Sequence, residues 1–253
     1  ISEITRQLPQ AMQDKGFEIR ILMPRFGNIN ERRNRLHEVI RLSGMNIIIE
    51  DNDNPLIIKV ASIPAARMQV YFLDNEEYFQ RKYVFTDKDN KFYDDNDERT
   101  IFFCKGALET VKKLGWSPDV VHCHGWMSAL VPAYLKTLYK DDPTFKNSKV
   151  VYSIYEDEFT EKLNDKFAAK AVMNGMTTEQ TIAYKGADLT ALNIGAIGYS
   201  DAIVLGSETI NAEVLKFVKK AAKPTLEFAS TSDYENYYNL YEEIADEELV
   251  SLD

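Results

Sequence analysis

Apolar residues along the chain recur at two spacings, and their alternation predicts an α/β domain. Residues 2–16 carry apolar positions at helical spacing, with Ser2 as a candidate N-cap and Gly16 as a natural stop. Pro9 is an exception, because a proline inside a helix costs about 3 kcal/mol or bends the helix. The apolar face of this predicted helix consists of Ile4, Leu8, Ala11 and Met12.

The apolar run at residues 17–24 predicts a buried strand directly after this helix. Helix, short turn and strand form the repeat of a parallel sheet, whose first strand would lie just before Ile1. Residues 42–74 change to short strands separated by turn residues, which predicts a small antiparallel insertion or edge. Residues 79–97 have no period and predict a long loop.

Regular alternation of helices and strands returns after this loop. Ser207 is a candidate cap for an amphipathic helix over 208–222, and residues 157–200 form a mixed helical region. The tail, residues 230–253, predicts an acidic helix whose tyrosine face packs on the sheet. Further helices are predicted over 98–114 and 126–140, and strands over 119–124, 149–155 and 202–206.

Composition narrows the class of protein. The 253 residues are 45% hydrophobic, as in a globular protein, and the formal net charge of −10 argues against binding to nucleic acid. No apolar run approaches the roughly 18–20 residues that cross a bilayer, so no membrane association is expected. Cys104 and Cys123 are too few for a disulfide framework, which favours a cytoplasmic location.

Two histidines at the end of a predicted strand are candidates for chemistry. His122 and His124 flank Cys123 and project from the same face of the strand. They could bind a metal, be satisfied within the core, or face a ligand at the strand's carboxyl end, where open α/β sheets bind ligands. No third metal ligand has suitable spacing, so the ligand-facing interpretation is favoured and no metal is predicted. Alternation turns Cys123 away, which argues against a cysteine nucleophile.

Other local patterns receive structural interpretations. The chain contains no phosphate-binding glycine fingerprint, and no cofactor is predicted. Gly195 and Gly198 lie within a helical pattern and are interpreted as sites of close packing. The basic run at residues 31–35 is interpreted as a solvated helix face.

Aromatic residues are concentrated in and beside the predicted long loop, and two interpretations stay open. Sugar faces pack on aromatic rings, so this series could form a carbohydrate-stacking surface. The same rings could instead anchor the loop to the domain. The series consists of Tyr78, Phe79, Tyr83, Phe85, Phe92 and Tyr93.

Five segments together resemble the N-terminal catalytic domain of bacterial glycogen and starch synthases, which are retaining glucosyltransferases of the GT-B fold. EITRQLPQAMQDKGFEIRILMPRFG is similar to the family's D-V-x-x-x-L-P-x-A-L-x-x-x-G-H-x-V helix and the strand ending in M-P-x-Y, and the family's proline explains Pro9. VYFLDNEEYFQR and DNDERTIFF resemble V-Y-x-I-D-N-x-x-Y-F-x-R and D-N-x-E-R-F-x-F-F. GWSPDVVHCHGWMSALVPAYLK resembles W-x-P-D-V-V-H-x-H-D-W-x-x-x-L-x-P-x-Y-L, and SDAIVLGSETINAEVL resembles A-D-x-I-T-x-V-S-x-x-Y-A-x-E-I.

The resemblance implies a fold and an activity. The fold would be a Rossmann-like three-layer α/β/α domain with a mostly parallel sheet and a small antiparallel insertion, one half of a GT-B fold. Residues 1–253 would form a single domain without the C-terminal nucleotide-binding domain. The family transfers glucose from a nucleotide sugar, ADP-glucose or UDP-glucose, to an α-1,4-glucan. Its C-terminal domain supplies the Arg and Lys that neutralise the diphosphate and a catalytic-site Glu, so the isolated chain is expected to be inactive.

The resemblance also assigns site residues. His124 matches the His of H-D-W and is the predicted catalytic-site residue that contacts the sugar, while Gly125 replaces the adjacent carboxylate. Tyr155 and Glu156 stand where T-x-H-N has its His and Asn, and the K-x-G-G-L loop falls immediately before Ile1. The predicted substrate-binding residues are Tyr93, Asp95, Asn96, Arg99, Trp126, Tyr155 and Glu156.

Two further hypotheses concern the role of the chain. It could be a non-catalytic module that binds glucan or a partner and regulates a full-length synthase, in which case it is a pseudoenzyme. Alternatively, a separate polypeptide could supply the C-terminal domain and complete a split enzyme.

Overall fold

A mixed sheet and then a parallel sheet follow one another along the chain in the computed structural model, which describes residues 3–63, 68–156, 159–229 and 234–246. The strands of the mixed sheet are β1 (Arg20–Pro24), β2 (His37–Glu38), β3 (Met45–Ile49), β4 (Asn52–Ile63) and β5 (Met68–Asp74). Those of the parallel sheet are β6 (Val120–His124), β7 (Lys149–Ile154), β8 (Ala202–Leu205) and β9 (Thr225–Leu226).

The first helix precedes these strands and the last one follows them, whereas the others lie in the connections between them. Those of the first half are α1 (Ile4–Asp14), α2 (Glu76–Phe79), α3 (Asn96–Leu114) and α4 (Val131–Lys136). Those of the second half are α5 (Phe167–Lys170), α6 (Leu189–Tyr199), α7 (Ala212–Ala221) and α8 (Glu235–Asp246). None of the helices in the described ranges is both long and apolar enough to cross a bilayer.

The mixed sheet contains the predicted antiparallel insertion. β1 pairs in parallel with β5, whereas β4 pairs antiparallel with β5, β2 and β3. Every antiparallel strand pair in the described part of the chain therefore lies within residues 37–74, close to the limits that the turn-rich pattern indicated. In the parallel sheet the strands follow chain order from β6 to β9, with a crossover connection after each of the first three.

The first predicted helix is confirmed from Ile4 onwards. Leu8 and Met12 are buried, Pro9 lies inside the helix, and Gly16 adopts a φ of +98°, a left-handed conformation that ends helices. The predicted cap Ser2 lies outside the described residues.

Two predicted helices differ from those observed. Residues 126–140 form a 3-10 turn, Trp126–Ser128, and then the six-residue α4, because Pro132 lacks an N–H and starts a new helix rather than continuing one. The prediction of Ser207 as the cap of α7 is wrong. Asn211 caps this helix instead, and its side chain accepts hydrogen bonds from two backbone N–H groups of the first turn.

The basic run at residues 31–35 is solvated but is not a helix. It forms consecutive turns in which Arg32, Arg33 and Arg35 are exposed, and Arg35 has a φ of +51°. Asn30 stabilises these turns, because its side-chain oxygen accepts a hydrogen bond from the backbone N–H of Arg33. Local hydrogen bonding at Asn30 therefore competes with helix formation.

Helices cover both faces of the parallel sheet, which confirms the three-layer α/β/α arrangement. Tyr152 and Ile203 point to one face and join the main core with α3, α4, α6 and α7. Val151 and Val204 point to the other face, where α1 and α8 cover them. The tail tyrosines pack on this second face as predicted, and they are Tyr234, Tyr237, Tyr238 and Tyr241.

The two sheets have edges that face no described strand. Within the described residues β1 pairs only with β5, and β6 pairs only with β7. Most residues of β1 and β6 are half-buried, whereas those of β8 are all buried. The strand expected just before Ile1 stays a prediction.

The helix α6 contains a testable difference between its two glycines. A Cβ at Gly195 would lie 2.4 Å from the ring of Tyr184, which confirms close packing there, whereas a Cβ at Gly198 would contact nothing within 4 Å. We expect Gly195→Ala to lower the free energy of unfolding by about 1–3 kcal/mol, because the buried Tyr184 must move. Urea denaturation would measure this change.

Gly198→Ala is the matched control in the same helix. It should raise the free energy of unfolding by roughly 0.5–1 kcal/mol, because alanine restricts the unfolded chain more than glycine does. The close-packing interpretation of Gly198 is wrong, since this residue is exposed. Equal effects of the two substitutions would contradict the packing difference.

Candidate functional site

The carboxyl ends of β6, β7 and β8 meet at one edge of the parallel sheet. His124 is the last residue of β6, Tyr155 directly follows β7, and Gly206 directly follows β8. Parallel sheets bind ligands at this edge, since the connecting loops diverge there and leave a crevice. The structure therefore brings the predicted residue His124 next to Tyr155, which the sequence placed 31 residues away.

The two histidines of β6 form a stacked pair. Their ring centroids are 4.0 Å apart and their planes are inclined by 29°, because residues two apart project from the same face of a strand. Cys123 between them points into the main core. Burial raises the pKa of the Cys123 thiol well above its usual value, so this group stays protonated and is not a nucleophile.

His122 is held on both sides within the protein. Its Nδ1 lies 2.5 Å from the hydroxyl of Tyr241 on α8, and its Nε2 lies 2.7 Å from the hydroxyl of Ser153 on β7. Burial lowers the pKa of His122 well below its usual value, so the ring is neutral at neutral pH. His122 is therefore a core histidine whose two nitrogens are both satisfied.

His124 has a different environment, although it is stacked on His122. Its Nδ1 lies 2.8 Å from the hydroxyl of Tyr155, whereas its Nε2 has no hydrogen-bond partner among the described residues. Both histidines are partly buried, so they differ in their partners and not in their exposure. Burial lowers the pKa of His124 to about 4, so this ring is also neutral at neutral pH. Of the two histidines, His124 is thus the one that can face a ligand.

Tyr155 and Glu156 occupy the edge of the sheet next to His124. Tyr155 is 8% exposed, and its ring lies over the end of β8, where a Cβ at Gly206 would come within 2.5 Å of it. The side chain of Glu156 is exposed, and its backbone N–H donates to Ser207 Oγ. This hydrogen bond links the segment after β7 to the segment after β8.

Asp95, Asn96 and Arg99, which match the D-N and R of the family's D-N-x-E-R-F-x-F-F, bind the long loop rather than line an open crevice. The guanidinium of Arg81 makes two hydrogen bonds of 2.8 and 2.5 Å to the carboxylate of Asp95. Asn96 Nδ2 donates to the backbone carbonyl of Phe85 at 2.9 Å. These contacts fasten both ends of the loop to the start of α3.

Arg99 is fully buried beneath this loop. It donates to the carbonyl oxygen of Tyr78 at 2.7 Å and to Asn96 Oδ1 at 2.5 Å, and its guanidinium lies 5.3 Å from the ring centre of Tyr93. Burial lowers the pKa of Arg99 to about 10, so the side chain remains charged at neutral pH. Aromatic rings around a cation compensate part of its lost hydration.

The aromatic series mainly anchors the loop. Tyr78 and Phe79 are buried, and the rings of Phe85 and Phe92 lie 4.9 and 6.3 Å from that of Trp126. Trp126, a predicted substrate-binding residue, is itself buried in this cluster. Tyr83 is the one exposed member of the series, and the other five rings anchor the loop to the domain.

The sequence pattern did not reveal every residue that holds the long loop and α3 in place. Lys170 of α5 pairs with Asp97 and Glu98 at 3.0 and 2.6 Å, and so holds α5 against the start of α3. The pairing residues are about 70 positions apart, and a lone lysine in a helix gives no indication of such a partner. Gly206 is different, because a glycine at a strand's carboxyl end can be recognised as a place of close approach.

A metal centre finds no support in the described part of the chain. Those residues contain no group of three or more His, Cys, Asp or Glu side chains that could hold a metal ion. The arrangement at the edge of the sheet instead consists of a neutral imidazole, a phenol hydroxyl and backbone groups. Such groups recognise hydroxyl-rich neutral ligands by hydrogen bonding.

Comparisons with known proteins match this chain to starch and glycogen synthases. The family model of the starch synthase catalytic domain matches residues 1–226. The chain is 43% identical to the glycogen synthase of Chlorobium luteolum over 61% of its length and 32% of that protein's length. It is 36% identical to the glycogen synthase of Chlorobium phaeobacteroides over 82% of its length and 44% of that protein's length.

The fold has a solved counterpart. The catalytic domain of Arabidopsis thaliana starch synthase IV, bound to ADP and acarbose, superposes with a TM-score of 0.70 at 18% identity, over 92% of this chain and 48% of that one. The chain thus spans less than half the length of these relatives. The helix α8 lies beyond the residues that the family model matches.

The buried histidines predict a pH dependence of stability. Because the folded pKa of His124 is about 4, below the 6.5 of a free imidazole, the unfolded chain binds more protons at acidic pH. The stabilisation is complete above about pH 6.5 and is lost as the pH falls towards 4. We expect this histidine to contribute a loss of about 1–3 kcal/mol, since each pKa unit corresponds to about 1.4 kcal/mol.

Urea denaturation at pH 7 and pH 4.5 would measure this dependence in the wild type and in His124→Gln. The difference between the two pH values should be smaller in the variant, whereas His37→Gln on the exposed strand β2 should behave like the wild type. The same difference in His124→Gln as in the wild type would show that His124 is not buried in its neutral form.

If the contacts of Asn96 anchor the long loop, their removal should let the loop open locally. Asn96→Ala removes the bonds to Phe85 and Arg99, and we expect it to lower the free energy of unfolding by about 1–3 kcal/mol. Limited trypsin digestion should then cleave faster within residues 81–91. Asp89→Ala, an exposed position in the same loop, should leave the cleavage rate unchanged. Equal protection of Asn96→Ala and the wild type would contradict the anchoring role.

Proposed function

We propose, on the premise that this chain belongs to the family of starch synthase catalytic domains, that residues 1–253 form the glucan-facing N-terminal lobe of a glucosyltransferase. In this proposal they constitute one domain, and the nucleotide-binding lobe is not part of them. The complete reaction would transfer glucose from ADP-glucose or UDP-glucose to an α-1,4-glucan. The cytoplasm is the proposed location.

The observation that supports this role is the position of His124. It stands at the carboxyl end of β6, is neutral and partly exposed, and its Nδ1 is engaged by Tyr155. Its other nitrogen is therefore available to a hydroxyl of a bound sugar. The solved relative binds ADP and acarbose, which makes these two compounds the appropriate probes for this chain.

We further propose that residues 1–253 do not transfer glucose alone. Phosphate-leaving chemistry needs cationic groups that stabilise the departing charge, and the resemblance places these groups in the other lobe. Three positions next to His124 also depart from the family pattern, namely Gly125, Tyr155 and Glu156. Gly125 provides no carboxylate, and the ring of Tyr155 covers part of the edge where the family pattern has a histidine.

A second candidate function is a non-catalytic module that binds glucan or a protein partner. The buried ring of Tyr155 at the sheet edge favours it, because this ring reduces the space available to a nucleotide sugar. The proposed partner is a synthase or a separate polypeptide that carries the nucleotide-binding lobe. The polar, partly exposed His124 would still contact a glucan in this role.

A transfer assay and a binding assay separate the two functions. With radiolabelled ADP-glucose or UDP-glucose and glycogen as primer, we expect no incorporation by residues 1–253 above the protein-free background. Acarbose titrated by calorimetry should bind, and His124→Ala should weaken this binding, since the hydrogen bond from the imidazole is lost. His37→Ala on β2 is the control and should bind like the wild type.

Incorporation at rates typical of enzymes would overturn the proposed inactivity. Absence of binding by both acarbose and glycogen would overturn the glucan-facing role and leave a protein partner as the remaining function. Circular dichroism melting of His124→Ala must accompany the titration, because a large loss of stability would attribute the weaker binding to unfolding.

A further inference from the structure

Among the described residues, Tyr155 makes the side-chain hydrogen bond that determines how His124 presents its ring nitrogens. The family pattern has a histidine at this position, whereas here a phenol hydroxyl lies 2.8 Å from Nδ1 of His124. We propose that Tyr155 is a positioning residue, which donates its hydroxyl proton to Nδ1 and thereby keeps the His124 proton on Nε2, directed at a sugar oxygen. The sugar as ligand rests on the proposed function, whereas the position of the proton does not.

The direction of this hydrogen bond follows from the chemistry of the two groups. A neutral imidazole carries one N–H and one nitrogen that only accepts. His124 is neutral at neutral pH, because burial disfavours its charged form. A phenol is a good donor and an imidazole nitrogen is a strong acceptor, so the hydroxyl donates to Nδ1. The single N–H of the ring must then be on Nε2.

The ring of His124 is also fixed in orientation. Its face stacks on His122 at 4.0 Å, and His122 is held in turn by Ser153 and Tyr241. A ring held at one nitrogen and along one face cannot rotate to exchange Nδ1 and Nε2. Within the described residues Nε2 of His124 has no hydrogen-bond partner, and the ring is partly exposed, so this N–H is open to an acceptor from a ligand.

Gly206 makes the position of Tyr155 possible. A Cβ at this residue would lie 2.5 Å from Cε1 of the Tyr155 ring, a distance that real Cβ atoms do not adopt. The backbone N–H of Gly206 donates to the carbonyl of Ile154 at 2.7 Å, so β7 and β8 remain in register up to this point. The absence of a side chain at Gly206 therefore leaves room for the Tyr155 ring in the position from which its hydroxyl contacts His124.

The position of the proton can be measured directly. The chain has three histidines, so long-range proton–nitrogen NMR of ¹⁵N-histidine-labelled protein at pH 7 resolves each ring, and single His→Gln variants assign the signals. We expect His124 in the Nε2–H form. Tyr155→Phe removes the hydroxyl and keeps the ring on Gly206, and it should give His124 a mixture of both tautomers.

Tyr241→Phe is the matched control. It removes the hydroxyl that contacts His122, the other member of the stacked pair, so it should change the His122 signals and leave His124 in the Nε2–H form. Gly206→Ala should displace the ring of Tyr155 and give the same mixture at His124 as Tyr155→Phe. An Nδ1–H form of wild-type His124, or an unchanged tautomer in Tyr155→Phe, would overturn the positioning role.

Ligand binding provides the second readout. Acarbose should bind Tyr155→Phe up to about twofold more weakly than the wild type, because in an equal mixture of tautomers only half of the His124 population donates from Nε2. An unchanged affinity together with a changed tautomer would show that Nε2 does not contact the sugar. If wild-type protein binds no acarbose, the proposed function fails, while the tautomer result still decides the role of Tyr155.

Discussion

Side chains along β6 and β7 must alternate between the two faces of the parallel sheet, and the candidate site depends on this constraint. Cys123 and Tyr152 therefore enter the main core, while His122, His124 and Ser153 face the layer formed by α1 and α8. A polar group on a covered face needs a partner, because an unpaired buried donor or acceptor costs about 1–3 kcal/mol. Hydroxyl groups meet this requirement without any charge at both nitrogens of His122 and at Nδ1 of His124, and only Nε2 of His124 is left for solvent or a ligand.

The helix α8 completes that covered face although it lies beyond the matched residues 1–226. Two residues just after α1 hold α8 in place. Lys15 forms an ion pair with Glu235, and the ring of Phe17 stacks on that of Tyr238 with a centroid distance of 5.6 Å. The same helix supplies the Tyr241 hydroxyl that holds His122. The helix α8 thus covers this face of the sheet and also holds the ring of His122. His124 stacks on that ring and is therefore supported by a fixed side chain.

In contrast to the uncharged histidine pair, the region beside the long loop contains two buried charged side chains, Arg99 and Asp97. Arg99 forms no ion pair with a carboxylate among the described residues, and carbonyl and amide oxygens and aromatic rings compensate its charge instead. Asp97 lies nearby and is paired with Lys170 of α5. Burial raises the pKa of Asp97, which indicates that this pair only partly offsets the cost of desolvation. These contacts order a segment whose sequence has no regular period, and they place its aromatic rings against Trp126.

Local patterns by themselves determined β1 and the strands β3 to β8, the long helix α3, the antiparallel insertion and the shared face of His122 and His124, because these depend on residue spacing. The two-residue strands β2 and β9 were not predicted. Local patterns also located the segments that resemble the family. Tertiary structure alone decided that both ring nitrogens of His122 have partners, whereas among the described residues only Nδ1 of His124 has one. These partners are hydroxyl groups of residues that are distant in the chain, such as Tyr241 and Tyr155. Periodicity carries no information about such long-range contacts. The caps and helix ends were likewise decided by local competition for backbone hydrogen bonds, as at Asn211.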